Sequence, residues 1–350
     1  MKRIPFPEGR LAAWLTVCLA VLLLAALPAT ARAGLWDGLQ RLRPADNDAS
    51  QTVTYTPPGW PTPLNGDLYL PPDSAALAAM RPVVLLLHGG AWRRGDKRSQ
   101  KALALALAGH GYAALAINFR QAPAARHPAQ LEDMRQALRW LRDHAEEYRL
   151  DITRIAAWGY SSGGHLAALL AVQPDSDLPR VRVVVAGGAP LDLRDPAGFD
   201  PVAVQALLGG TSRQVPALYA QASPMAQVRA GLPAFFLYHG TADELVPPAL
   251  AERFASVLAE AGVPVELVWL EGLTHAGAAA SAQARPLALD FLDHHFGLLR
   301  EAPTLQTRGD TPSHMIRMSF PLPRDNAAMP LPGIRPQAET EPPADGVAPH

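Results

Sequence analysis

Gly159-Tyr160-Ser161-Ser162-Gly163-Gly164 is where residue type and spacing first imply chemistry. It follows the apolar run Arg154–Trp158 and opens a second run, Leu166–Val172. A serine on a sharp strand-to-helix turn presents its hydroxyl as a nucleophile. Gly159 and Gly163 are needed on either side, because side chains there would collide with the strand and the helix. A helix beginning at the turn favours the negative charge that develops in such a reaction. Ser161 is the expected nucleophile. Ser162 is the neighbouring hydroxyl, out of phase with the glycines. Outside a strand–turn–helix context the same residues would be an ordinary Gly-Ser loop.

A nucleophilic serine needs a base, an acid to orient that base, and donors for the oxyanion. His88-Gly89-Gly90-Ala91-Trp92 follows the apolar run Val83–Leu87. A Gly-rich turn there exposes backbone N–H groups, and Gly90, Ala91 and Ser162 are the expected oxyanion donors. The plain alternative is a simple βα turn. Downstream, His239-Gly240-Thr241-Ala242-Asp243-Glu244 follows the run Ala234–Tyr238, and Glu271-Gly272-Leu273-Thr274-His275 follows Val265–Leu270. The order serine, acid, histidine assigns Asp243 as acid and His275 as base, with Glu244 as the adjacent alternative acid. Trp92, Tyr160 and parts of 190–232 are expected to line a substrate pocket. His88 and His165 are expected to brace the loop and the turn, and His294 and His295 to lie on the surface.

The elements that must position these residues alternate. Strand candidates lie at Thr52–Thr56, Asp67–Leu70, Val83–Leu87, Ala113–Asn118, Arg154–Trp158, Val181–Ala186, Ala234–Tyr238 and Val265–Leu270. Helical patterns lie at 99–109, 129–147, 162–172, 248–261 and 279–296. Continuous apolar strands alternating with helices predict an α/β fold, with a mostly parallel sheet flanked by helices on both faces. Ser161, Asp243 and His275 each follow a strand, so three loops deliver them to one edge of the sheet.

Composition narrows the function classes. The 350 residues carry a formal net charge of -1, so no basic excess attracts nucleic acid or anionic lipid. The single cysteine, Cys18, excludes an internal disulfide, and no Cys/His cluster has zinc-ligand spacing. Neither a metal nor a cofactor is expected. Lys2, Arg3 and Arg10, the apolar run Leu11–Leu27, and Ala31-Arg32-Ala33 have the layout of a secretory signal over residues 1–33, cleaved after Ala33. An uncleaved segment would instead be a membrane anchor, although the run is short for a span. A lipoprotein reading around Cys18 is disfavoured by the bulky Val17 before it. Residues 34–50 read as a linker and 51–298 as the catalytic domain. Residues 299–350, with about ten prolines and no apolar periodicity, read as a disordered tail.

With these motifs the chain resembles the α/β-hydrolase superfamily, and more narrowly its esterase branch with an HGGxW oxyanion motif. That branch includes carboxylesterases, feruloyl-esterase-like proteins and arylformamidases, and it is similar to the hormone-sensitive-lipase group. The resemblance covers about 52–298 and includes Asn118-Phe119-Arg120 and His127-Pro128 through Asp133. Ala91 stands where HGGG has its third glycine, and Tyr160 and Ser162 replace the Asp and Ala of GDSAGG. The resemblance implies an eight-stranded sheet, a structural role for Asp133, and hydrolysis of a small-molecule carboxylic ester through an acyl-enzyme. Rival readings are an arylformamidase, an exopeptidase of prolyl-oligopeptidase type, and a non-catalytic binding module. Export to the periplasm or medium follows from the signal. The acyl group, the alcohol and the oligomeric state are left open.

Overall fold

The computed structural model describes residues 50–72, 80–194, 200–298 and 315–320. The signal segment, the linker up to residue 49 and most of the C-terminal tail lie outside the described residues. The described strands are β1 (Ser50–Thr54), β2 (Asn65–Tyr69), β3 (Arg81–Leu87), β4 (Ala113–Ile117), β5 (Leu150–Tyr160), β6 (Val181–Gly187), β7 (Ala234–Gly240), β8 (Val265–Leu270) and β9 (Met315–Ser319). They form one nine-stranded sheet in the order β1-β2-β4-β3-β5-β6-β7-β8-β9. The six strands from β4 to β8 in that order run parallel, while β1, β2 and β9 pair antiparallel to their neighbours.

The helices are α1 (Lys101–Gly109), α2 (Ala129–Asp143), α3 (Ser162–Val172), α4 (Pro201–Leu208), α5 (Pro216–Gln221), α6 (Ala249–Glu260), α7 (His275–Ala280) and α8 (Arg285–His295). They cover both faces, as the continuous apolar strands require. Along β3, Val83, Leu85 and Leu87 join one core with residues of α2, α3 and α6. Val84 and Leu86 join the opposite core with residues of α1 and α8. Successive strand side chains point to opposite faces, so a strand buried on both must be apolar throughout. Each fully buried leucine contributes about 1.5–3 kcal/mol relative to exposure.

Two expectations need correction. Residues 315–319 fall in the stretch read as a disordered tail, yet they form β9 on the edge of β8. Trp269 donates through Nε1 to the Met318 sulfur at 3.1 Å, and Arg317 pairs with Glu266 at 2.7 Å. Pairing there satisfies an otherwise open sheet edge. The single helical pattern expected over 279–296 is two helices, α7 and α8. The Thr274 side chain accepts from Gly277 N–H and starts α7 ahead of the predicted boundary, at His275.

Candidate active site

The turn between β5 and α3 is built by close approach. A Cβ on Gly159 would lie 2.3 Å from Gly163, and one on Gly163 would lie 2.2 Å from the Leu87 carbonyl. Only glycine at both positions lets α3 start directly behind the strands. Ser161, between them, has φ 56 and ψ -125, a strained conformation for a residue with a side chain. Its own N–H is tied to the Gly187 carbonyl at 2.8 Å, at the end of the neighbouring strand. The turn is therefore held from both sides, and the Ser161 side chain is only partly covered.

The loop after β3 lies against this turn. A Cβ on Gly89 would meet the Tyr160 carbonyl at 3.0 Å and Ser161 Cβ at 3.5 Å. Gly90, Ala91 and Trp92 have φ of 125, 54 and 58, so three successive residues take left-handed backbone. The Gly90 carbonyl accepts from Arg93 and Arg94, each at 3.1 Å, which closes the loop. Among the described residues, no acceptor takes the N–H of Gly90, Ala91 or Ser162. Unused donors at a sheet edge, two from this loop and one from the start of α3, can receive an oxyanion.

His88 is buried and stacks on Phe119 with ring centroids 4.2 Å apart. Its Nδ1–H donates to the Gly89 carbonyl at 2.9 Å, and burial lowers its pKa, so the ring is neutral and braces the loop as expected. Trp92 departs from the expected pocket role. It is 2% exposed, and its Nε1–H donates to His165 Nδ1 at 3.2 Å. The left-handed backbone at Trp92 turns the indole inward, where it packs edge-on against the His165 ring. His165 Nδ1 accepts that bond, so Nε2 carries the proton and donates to the Ala222 carbonyl at 2.7 Å. Burial lowers the His165 pKa to about 4. Trp92 and His165 thus link the loop after β3, α3 and the 190–232 segment.

Asp243 follows β7 and His275 follows β8, as the motif order anticipated. Asp243 Oδ2 lies 2.7 Å from His275 Nδ1, while its Oδ1 accepts from the N–H groups of Leu245 and Val246, both at 2.9 Å. Glu244 is exposed, and Asp243 is the carboxylate that contacts His275. Burial alone would raise the Asp243 pKa, but hydrogen bonds from His239, His275 and Val246 hold it well below the usual carboxylate range. An ionised carboxylate only accepts, so His275 Nδ1 carries the proton and Nε2 is free to act as a base.

Two further contacts were not foreseen in roles at the site. His239 is buried, and its Nε2 lies 3.0 Å from both Asp243 Oδ2 and the Val246 carbonyl. Both partners accept, so Nε2 donates to both, and Asp243 holds two imidazoles. The spacing His239…Asp243 was visible in the sequence, but nothing in it distinguished a ligand of the acid from a strand residue. Tyr160, expected in the pocket, donates its hydroxyl to the His275 carbonyl at 2.8 Å, and its ring lies 5.1 Å from the His275 ring. A Cβ on Gly187 or Gly188 would collide with the Tyr160 ring, so these glycines make its seat. Burial and the nearby Asp243 charge raise the Tyr160 pKa, which keeps the hydroxyl a donor. The residue before Ser161 is thereby bonded to the backbone of His275.

Asp133 is fully buried and structural in its contacts. It accepts from the Arg120 backbone N–H at 2.8 Å, from Arg120 Nε at 2.8 Å, and from Trp60 Nε1 at 2.9 Å. The Pro-rich stretch that carries Trp60 is pinned to the core in this way. Among the described residues no group of three or more His, Cys, Asp or Glu could hold a metal ion.

Known proteins resemble this chain in sequence and fold. Esterase LipQ of Mycobacterium tuberculosis is 31% identical over 270 residues, covering 71% of this chain and 63% of its own length. The ethyl acetate hydrolase of Pseudomonas putida is 32% identical over 229 residues, covering 59% of this chain and 69% of its own. The chain spans 48–70% of the length of most of the curated relatives it matches, and 13% of a polyketide synthase of Preussia isomera. A thermophilic esterase of Thermogutta terrifontis, solved with propionate bound, superposes with a TM-score of 0.61 at 26% identity, covering 73% of this chain and 97% of that one. The same esterase has been solved phosphonylated by sarin. The family model BD-FAE matches residues 66–258, more than half of the chain, from the second residue of β2 to two residues before the end of α6. With its mostly parallel sheet and helices on both faces, the chain has the α/β-hydrolase fold and belongs to the BD-FAE family.

Proposed function

We propose that this protein hydrolyses small carboxylic esters through an acyl-enzyme, with Ser161 as nucleophile, His275 as base and Asp243 as the orienting acid. The observation that carries this reading is the 2.7 Å bond between His275 and the ionised Asp243, with Tyr160, the neighbour of a serine in left-handed backbone, bonded to the His275 carbonyl. Ser161 Oγ attacks the carbonyl carbon and its proton passes to His275 Nε2. The tetrahedral oxygen is held by the N–H groups of Gly90, Ala91 and Ser162, each typically contributing about 3 kcal/mol to the transition state. The carbon–oxygen bond to the alcohol breaks, and the departing oxygen takes the proton from His275. Water then attacks the acyl group, gives a proton to His275, and releases the acid with Ser161 restored.

A small acyl group is favoured by the likeness to an esterase that binds propionate and by the relative that hydrolyses ethyl acetate. Covalent phosphonylation of the Thermogutta esterase by sarin suggests the first experiment. A fluorophosphonate probe should label Ser161, and p-nitrophenyl esters should turn over fastest at short chain length. Full turnover by Ser161→Ala, or labelling elsewhere, would defeat the assignment. The formamidase, exopeptidase and binding-module readings compete with it: turnover of an N-formyl amide or a peptide but not of esters, or no adduct and no turnover, would favour one of them. We also propose export directed by residues 1–33. N-terminal sequencing of the protein from the periplasm or medium should begin at Gly34, and an intact N-terminus in the membrane fraction would mean an anchor instead.

A further inference from the structure

The opposite end of the sheet carries a cavity of about 610 Å³, at the N-terminal ends of β6 and β7 and the C-terminal end of α3. Four arginines line it, Arg135, Arg180, Arg182 and Arg229, against one aspartate, Asp175. Its floor is apolar, with Leu138, Leu170, Leu178 and Leu232.

Two of the arginines are anchored. Arg135 Nη2 donates to the Gln173 carbonyl at 2.9 Å, and Arg229 Nη1 donates to the Val172 carbonyl at 2.8 Å. These bonds hold both guanidinium groups at the end of α3 and use one nitrogen of each. Arg135 Nε is buried and lacks a hydrogen-bond partner among the described residues. Arg180 and Arg182 are exposed and make no hydrogen bond or ion pair to a described residue. Other arginines at this end are paired, Arg154 with Asp151 at 2.5 Å and Arg142 with Asp143 at 2.9 Å. Asp175 itself faces Arg139 at 3.8 Å. Guanidinium groups gathered without matching carboxylates repel one another, and an anion with several oxygens relieves that repulsion while satisfying their donors.

We propose that this cavity is a second ligand site, separate from the catalytic edge, that takes a phosphate-type oxyanion carried on an apolar group. The arginines hold the oxyanion and the leucine floor takes the carbon chain. Such a ligand is either a soluble phosphate ester or a phospholipid headgroup.

The test uses the full chain and the Arg180→Gln/Arg182→Gln double variant, with Arg213→Gln as a control for bulk charge. Calorimetry with inorganic phosphate and glycerol 3-phosphate reads the soluble arm. Co-sedimentation with phosphatidylglycerol vesicles, against phosphatidylcholine vesicles, reads the lipid arm. Binding is expected in at least one arm, weakened roughly tenfold or more by the double variant and unchanged by Arg213→Gln, as expected for lost charge-assisted hydrogen bonds. Ester turnover should be unaffected in all three proteins, which shows that the fold is intact. A vesicle preference that the double variant loses identifies the lipid; phosphate-ester binding without a vesicle preference identifies a soluble ligand. No saturable binding in either arm, or binding that the double variant keeps in full, overturns the proposal.

Discussion

Asp243 and Asp133 are both buried carboxylates, and they differ in what is bound to them. Asp133 is held by Arg120 and Trp60, donors that keep their protons at any working pH. Asp243 is held by two imidazoles and two backbone N–H groups. An imidazole exchanges its proton near neutrality, so the same buried charge stabilises a fold at one position and can support proton transfer at the other. Burial alone does not separate a structural acid from a reacting one; the partner's ability to give up a proton does.

Asparagine at each position breaks the comparison most sharply. Asp243→Asn keeps the shape but favours the wrong His275 tautomer, and kcat should fall about 10⁴-fold with only a modest change in stability. Asp133→Asn removes the buried carboxylate from Arg120 and leaves its guanidinium with the more exposed Glu132 alone. It should cost about 3–5 kcal/mol in urea unfolding while the folded fraction retains its kcat. Parallel measurements of kcat and unfolding midpoint on both variants decide the matter. A stability loss without a kcat loss at Asp243 would reverse the two roles.

The histidines repeat the contrast. His165 is bonded on both ring nitrogens within the core, and its pKa is lowered to about 4 by burial. The unfolded chain takes up a proton at this residue near pH 6.5 and the folded one only near pH 4. Stability is therefore complete above about pH 6.5 and is lost progressively as pH falls toward 4, by about 3 kcal/mol from this residue. His165→Asn should be less stable at pH 7, but its stability should fall less between pH 6.5 and 4 than that of the wild type. Parallel stability curves across that window would remove His165 from the account of acid sensitivity.

The placement of Ser161, Asp243, His275 and the loop 88–92 was legible in the sequence because each follows an apolar strand. The helix 162–172 and the strand 265–270 match their expected bounds residue for residue. Three features were not legible, for physical reasons. The inward turn of Trp92 depends on left-handed backbone at a non-glycine residue, which composition does not signal. β9 is five residues that gain order from the open edge of β8, not from their own periodicity. The His239 and Tyr160 contacts arise where separate strands end together, and local spacing says nothing about such meetings.

Removing the second imidazole sharpens the comparison further. His239→Phe leaves Asp243 Oδ2 with His275 alone and removes a donor from a buried charge. A hydrogen bond to a charged group contributes about 1.5–3 kcal/mol, so kcat should fall roughly ten- to a hundredfold. KM should stay unchanged, because His239 lies behind the acid and away from the acyl group. A rise in KM at constant kcat would mean that His239 shapes the binding site.

The smallest expected effect comes from Tyr160→Phe. The ring keeps its seat on Gly187 and Gly188, but the His275 carbonyl loses its donor. A neutral hydrogen bond of this kind contributes about 0.5–1.5 kcal/mol. If it holds the base in register with Ser161, kcat should fall about two- to tenfold with KM nearly constant. Labelling by the fluorophosphonate probe should slow by a similar factor, since that reaction uses the same base but no alcohol leaving group. If the tyrosine instead contacts substrate, KM should rise with ester size and the labelling rate should stay unchanged. The two readouts thus separate a residue that positions His275 from one that binds the ester.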